Sequence, residues 1–203
     1  MDQDVAGRVG RSWGEVLAWC RLHAPATAAA IRGPADDAAL RDAQAEMGVR
    51  WPQELLAWLR LTNGAEPSLD GQMIPVFYAP LGVEEIVGEW KMLTASTIPA
   101  EEVLAATAQP AGSDCSAFLP SWIPIATDFC GGYLFADLRS GARHGCIGEW
   151  YAEEGFSLGP TWDDIVHMLD TVAFALRAGH AGDWDPDMRA EADNGRLTWV
   201  RGP

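Results

Sequence analysis

Lysine is almost missing from this chain: Lys91 is the single lysine among 14 basic residues. With its high alanine content, that bias marks a GC-rich genome and carries no functional meaning. Cysteine is scarce too. Cys20, Cys115, Cys130 and Cys146 lie far apart with no C-x-x-C pair, so the spacing of a zinc ribbon or a thioredoxin-like dithiol is excluded. They read as reduced, structural thiols. No apolar run approaches the ~20 residues that span a bilayer, and Met1-Asp2-Gln3-Asp4 is acidic where a secretory signal is basic. A cytoplasmic protein without a membrane partner is expected. Internal repeats, glycine-rich phosphate loops and histidines at ligand spacing are lacking as well, so neither cofactor nor metal is expected.

Negative charge, in contrast, is abundant. The 29 acidic residues give a net charge of -15, unevenly placed. Met1 to Arg60 hold 8 acids and 7 bases, whereas the chain from Leu61 onward holds 21 acids and 7 bases. A surface of that sign repels phosphate backbones and steers basic proteins inward, so nucleic acid is a poor direct partner and a basic protein a good one. A chain of 203 residues buries roughly 70% of its extended surface, enough for one domain without staples.

Apolar spacing places the elements. Trp13, Val16, Leu17 and Cys20 predict a helix from Trp13 to about Leu22, capped by Ser12 and ended by Pro25. A second helix runs from near Pro34 to Gly48, with Asp36 and Asp37 in its first turn. Trp51-Pro52 opens a short apolar helix that Asn63-Gly64 closes. Met73 to Tyr78 reads as an edge or irregular strand because of Pro75, and Val83 to Leu93 as a helix. Thr94 to Ser116 is either loop or weak helix. Trp122 to Ala126, Tyr133 to Leu138 and Cys146 to Tyr151 read as an antiparallel meander. Thr161 caps a helix carrying Ile165, Met168, Leu169 and Val172, and Arg196 to Arg201 returns as a strand after Asn194-Gly195. This order predicts an α+β fold: N-terminal helices, a central, mainly antiparallel sheet of four to six strands, and a C-terminal helix on it. One domain is expected over 1–203, with a helical part at 1–47, a core at 48–180, and an acidic loop plus strand at 181–203.

Two blocks carry a resemblance. Trp51-Pro52-x-x-Leu55-Leu56 with Asn63-Gly64, then Trp122-Ile123-Pro124-Ile125-Ala126 with Asp128, Gly131-Gly132 and Asp137-Leu138, resemble the SUKH superfamily of Syd-like and SMI/KNR-type cell-wall assembly regulators. Thr161 to Ile165 sits where that family starts its closing helix. Tyr133 and Cys130 depart from the family pattern around the glycine pair. The resemblance implies a protein-binding domain, in bacteria most often an immunity protein that neutralises a toxin, and many such toxins are basic nucleases. A regulatory scaffold binding a cellular protein is the alternative.

Each marked residue also has a plainer reading. Tryptophan at Trp51 and Trp122 fills core volume beside the prolines, although ten tryptophans leave room for an exposed interface anchor. Asn63-Gly64 and Gly131-Gly132 are turns. Asp128 and Asp137 flank a hairpin turn and, if they faced each other, would make a carboxylate pair for acid-base chemistry; turn capping outweighs that. His144 and Cys146 would offer a thiol and base on one strand face. An enzyme built on either pair is the least favoured function. Asp183-x-Asp185-x-Asp187 imitates a calcium loop but has Met188 where glycine belongs, so a solvated acidic stretch from Asp183 to Asp193 is expected. Glu149, Trp150, Tyr151, Glu153 and Glu154 form the most interface-like cluster, acids for steering and aromatics for anchoring.

Overall fold

The computed structural model describes residues 2–95, 98–152, 159–182 and 184–202. Helix α1 (Asp2–His23) begins well before the predicted start. Val9, Trp13, Val16 and Cys20 fall at spacings of four, three and four, and all are buried, so one apolar stripe holds the helix against its neighbours. Ser12 is interior to it, not a cap. Its hydroxyl turns back to the Arg8 carbonyl and also meets the Asp170 carboxylate. The helix ends at His23, just before Pro25, which opens α2 (Pro25–Ala30), where a missing N–H costs nothing.

Helix α3 (Asp37–Met47) is capped by Asp36, which accepts from Ala38 N at 2.6 Å, and closed by Gly48 at φ 67°. Trp51 and Pro52 then lead into α4 (Gln53–Leu59). Trp51 is buried and its amide donates to Gln44 Oε1 at 3.0 Å, while the Pro52 carbonyl accepts from Leu56 N. The expected strand at Met73 to Tyr78 is instead a tight turn: Pro75 has no N–H for a ladder, and the backbones of Ile74 and Tyr78 bond each other at 3.0 Å. The edge strand proper is β1 (Ala79–Pro80), followed by α5 (Val83–Thr94) and α6 (Ala100–Thr107). Both readings of the stretch from Thr94 to Ser116 apply: α6 is the weak helix, and Ala108 to Ser116 follow it as turn and loop.

Strands β2 (Trp122–Thr127), β3 (Gly132–Asp137) and β4 (Ile147–Tyr151) complete an antiparallel sheet of order β1-β2-β3-β4. The β2–β3 register slips between Pro124 and Ala126, because proline cannot donate to the ladder. Helix α7 (Ile165–Ala178) is capped by Asp164, which accepts from His167 N at 2.7 Å, so Thr161 is not its cap. A second hairpin, β5 (Met188–Asp193) and β6 (Arg196–Arg201), turns on Asn194 and Gly195 at φ 50° and 80°. That corrects the expected acidic loop, half of which is strand: two consecutive positive-φ residues suit the right-handed twist of a hairpin.

The fold is therefore α+β. The central sheet is buried on both faces. Ile123, Ile125, Leu134, Ala136 and Ile147 enter a large core shared with α1, α3, α4, α5 and α7. On the opposite face Trp122, Tyr133, Phe135 and Trp150 meet Phe118 and Leu119 in a smaller aromatic core. Trp122 stacks on Phe135 at 3.9 Å, and Phe118 stands edge-on to Trp122, Phe135 and Trp150 at 5.4 to 5.9 Å. Among the described residues no helix is long and apolar enough to cross a membrane.

Candidate functional site

Asn63 and Gly64 do more than end α4. Helix α5 begins at Gly82, which has no side chain to cap it. Asn63 Oδ1 supplies the missing acceptor, taking Val83 N at 2.8 Å, and Glu85 Oε2 reaches back to Gly82 N at 3.1 Å. The two backbones touch. A Cβ on Gly64, which sits at φ 75°, would lie 2.4 Å from Gly82 N, and one on Gly82 would lie 2.6 Å from Asn63 O. This close approach fixes the start of α5 against the end of α4 and so positions the acidic face of α5.

The β2–β3 turn is pinned with equal care. Asp128 Oδ1 accepts from Cys130 N at 2.7 Å and Gly132 N at 2.8 Å, and Thr127 Oγ1 accepts from Phe129 N at 3.1 Å. These bonds hold Phe129 at φ 62°, a left-handed conformation that a bulky side chain adopts at a cost of about 1–2 kcal/mol. The ring that this conformation presents is 44% exposed.

Between α5 and this turn lies a cleft of about 360 Å³. Pro67, Pro80 and Leu81 form apolar wall, Met92 and Phe129 stand at its edges, and Tyr133, Glu85, Glu89 and Arg32 supply the polar groups. Arg32 is neutralised by Glu85, Nη1 to Oε1 at 2.6 Å. Tyr133, only 8% exposed, donates to Glu89 Oε2 at 2.6 Å. Burial, then the bond to Glu89, pushes the Tyr133 phenol well above its ordinary range, so it remains a donor. Among the described residues Glu89 Oε1 has no hydrogen bond, which leaves one carboxylate charge facing the cleft. Glu85 and Glu89, four residues apart on α5, were within reach of a sequence reading because Ile86 and Trp90 mark the buried face. Phe129 was not, since nothing local announces its backbone conformation.

The expected cluster on β4 splits across the sheet. Trp150 is 7% exposed, packs edge-on against Phe118 and donates from Nε1 to Ser116 O at 3.1 Å, so it is core and no anchor. Alternation sends Glu149 and Tyr151 to the other face. There Glu149 Oε1 receives the hydroxyls of Tyr78 and Tyr151, the latter at 2.9 Å. Burial is the main force pushing the Tyr151 phenol up to about 12. The Tyr151 ring crosses Gly132 where a Cβ would sit 2.7 Å from it, which is why glycine follows Gly131 there. Glu153 and Glu154 lie outside the described residues. Of the ten tryptophans, Trp19, Trp90 and Trp184 are half-buried and the others are buried.

The two chemical pairs differ in position or in burial. Asp128 and Asp137 do not face each other: Asp128 binds Gly132 N at the start of β3 and Asp137 ends that strand, five residue steps or roughly 16 Å further along at ~3.3 Å per residue. Asp137 is 0% exposed and clamped by Arg139, equally buried, whose Nη2 reaches Oδ2 at 2.7 Å. Gly112 N and Arg139 N also donate to it, at 2.9 and 3.0 Å. Arg139 in turn binds the carbonyls of Ala106 and Ser113 and covers the Trp122 ring at 5.3 Å, stapling α6 and the following loop to the sheet. Cys146 is buried, and burial pushes its thiol up to about 11; His144 is exposed, with Nδ1 3.0 Å from Arg139 O. Asp183 lies outside the described residues, while Asp185 binds Asp187 N at 3.2 Å and Arg201 at 3.1 Å. No group of three metal-ligating side chains occurs among the described residues.

No curated protein matches the chain. The model of the SMI1 / KNR4 family (SUKH-1) matches residues 34–171, which takes in α3 to α6, the central sheet and the first half of α7. Apart from Arg32, the residues that line the cleft fall inside that span, as do the Asn63-Gly64 contact and the Asp128 turn, whereas α1, α2 and the β5–β6 hairpin fall outside it. With well over half of its length matched, the chain belongs to the SMI1 / KNR4 family (SUKH-1), a family of protein-binding modules.

Proposed function

We propose that this protein is an immunity protein, a stoichiometric inhibitor that binds a basic bacterial toxin in the cytoplasm and occludes it. The observation that carries the reading is the cleft beside the Asp128 turn. It combines a strained, exposed aromatic with carboxylates from α5, in a chain that holds nearly all of its acidic excess beyond Leu61. Exposed aromatics anchor interfaces, and acidic surroundings speed encounter with a basic partner while contributing less to the lifetime of the complex. The toxin is held by contact and not by turnover. Asn63, Gly64, Gly131, Gly132, Asp137, Trp51, Pro52, Trp122 and Pro124 build the scaffold in this reading, and Asp128 orients the turn.

The test is binding of purified toxin domains encoded beside this gene. One-to-one association, with an association rate that falls steeply as salt is raised, supports the reading. Retention of only a housekeeping protein from lysate would move the protein to the scaffold role.

A further inference from the structure

We infer that the cleft between α5 and the β2–β3 turn receives one arginine side chain of the partner, its guanidinium bonded to Glu89 Oε1 and stacked on the Phe129 ring. The inference rests on the protein-binding reading and deepens it by naming what the cleft takes. Three features converge. Arg32 and Glu85 cancel within the cleft, so the charge left over is that of Glu89, with Asp128 flanking the turn. The buried Tyr133 hydroxyl occupies Glu89 Oε2 and thereby orients the second oxygen. Phe129 and Met92, 44% and 58% exposed, supply an aromatic face and a flexible thioether for an alkyl stem.

Arginine fits better than lysine. A guanidinium is weakly hydrated, planar and able to stack on an aromatic face while bonding a carboxylate edge-on; an ammonium keeps its water and cannot stack. The backbone of the turn explains why the ring stands there at all. Any residue but glycine is strained at φ 62°, so glycine or asparagine would serve a purely structural turn better than phenylalanine.

The experiment is a titration of the full chain, followed by amide resonances, with the blocked tripeptides acetyl-Gly-Arg-Gly-amide, acetyl-Gly-Lys-Gly-amide and acetyl-Gly-citrulline-Gly-amide. The arginine peptide should shift Gly88 to Met92 and Phe129 to Tyr133 saturably, with a dissociation constant on the order of 1 mM. Lysine should bind severalfold more weakly and citrulline without saturation. Glu89→Gln should weaken the arginine peptide by at least about fivefold, as should Phe129→Ala. Because the wild-type titration needs no variant to fold, it decides first. An arginine peptide that leaves these resonances unmoved, a citrulline peptide that binds as well, or a lysine peptide equal to arginine overturns the inference. The two readings fail separately: a toxin bound equally by wild type and Glu89→Gln removes this site and leaves the immunity role. A saturable arginine site with no toxin bound does the reverse.

Discussion

Replacing Asp137 with asparagine leaves a guanidinium that is 0% exposed without its counter-charge. The amide oxygen of the replacement can still accept from Gly112 N or Arg139 N, so the substitution isolates charge from shape. An uncompensated buried charge costs about 3–5 kcal/mol, against a total stability on the order of 5–15 kcal/mol. Arg139→Met should cost a similar amount: it strands the Asp137 carboxylate and frees the carbonyls of Ala106 and Ser113. The double variant removes both charges and fills the stem's volume, so its cost should fall at least about 2 kcal/mol short of the sum. Urea unfolding followed by tryptophan fluorescence reads this directly. With a slope of about 2 kcal/mol per molar, each single change should move the midpoint down by roughly 2 M. Single changes costing under about 1 kcal/mol and adding simply would refute the claim that Asp137 is a structural clamp.

Four further outcomes are expected. Gly64→Ala should cost at least about 3 kcal/mol or prevent folding, because its Cβ would lie 2.4 Å from Gly82 N at φ 75°. Gly48→Ala, at φ 67° with open space around it, should cost about 1 kcal/mol in the same unfolding assay. Phe129→Gly relieves the left-handed strain and forfeits half-buried ring area, two effects of opposite sign that leave stability within about 1 kcal/mol of wild type while partner binding falls. Burial pushes the thiols of Cys146 and Cys20 from 9.0 up to about 11 and about 12. Above pH 9 the unfolded chain loses these protons first, so stability should decline as pH rises through 9 to 12. Comparing unfolding at pH 8 and pH 10.5, the Cys20→Ala, Cys146→Ala double variant should lose less than wild type does.

Where local pattern and tertiary demand agree, the fold was legible. Val83 to Leu93 repeats its apolar residues at helical spacing, and Trp122 to Tyr151 alternates between glycine turns; both formed as read. Legibility failed where distant partners decide. Gly7 and Gly10 weaken the first half of α1, which is held as helix by the stripe through Val9 and Trp13. Met188 to Asp193 has poor strand residues and forms β5 because Asn194-Gly195 folds it onto β6. The site behaved likewise. Asn63-Gly64 was readable as a turn, but not as the cap of a helix that starts at Val83. Trp150 and Tyr151 are neighbours in sequence, but the pleat sends them to opposite faces. Phe129 was invisible because its importance is a backbone angle imposed by Thr127 and Asp128.

The decisive measurement is the binding of a basic toxin domain, encoded beside this gene, to wild type, Phe129→Ala and Glu89→Gln at low and raised salt. Wild type should bind one-to-one with association slowed by salt, and Phe129→Ala should dissociate at least tenfold faster. A toxin domain that binds neither at low nor at raised salt, or binds both variants as tightly as wild type, would contradict these expectations.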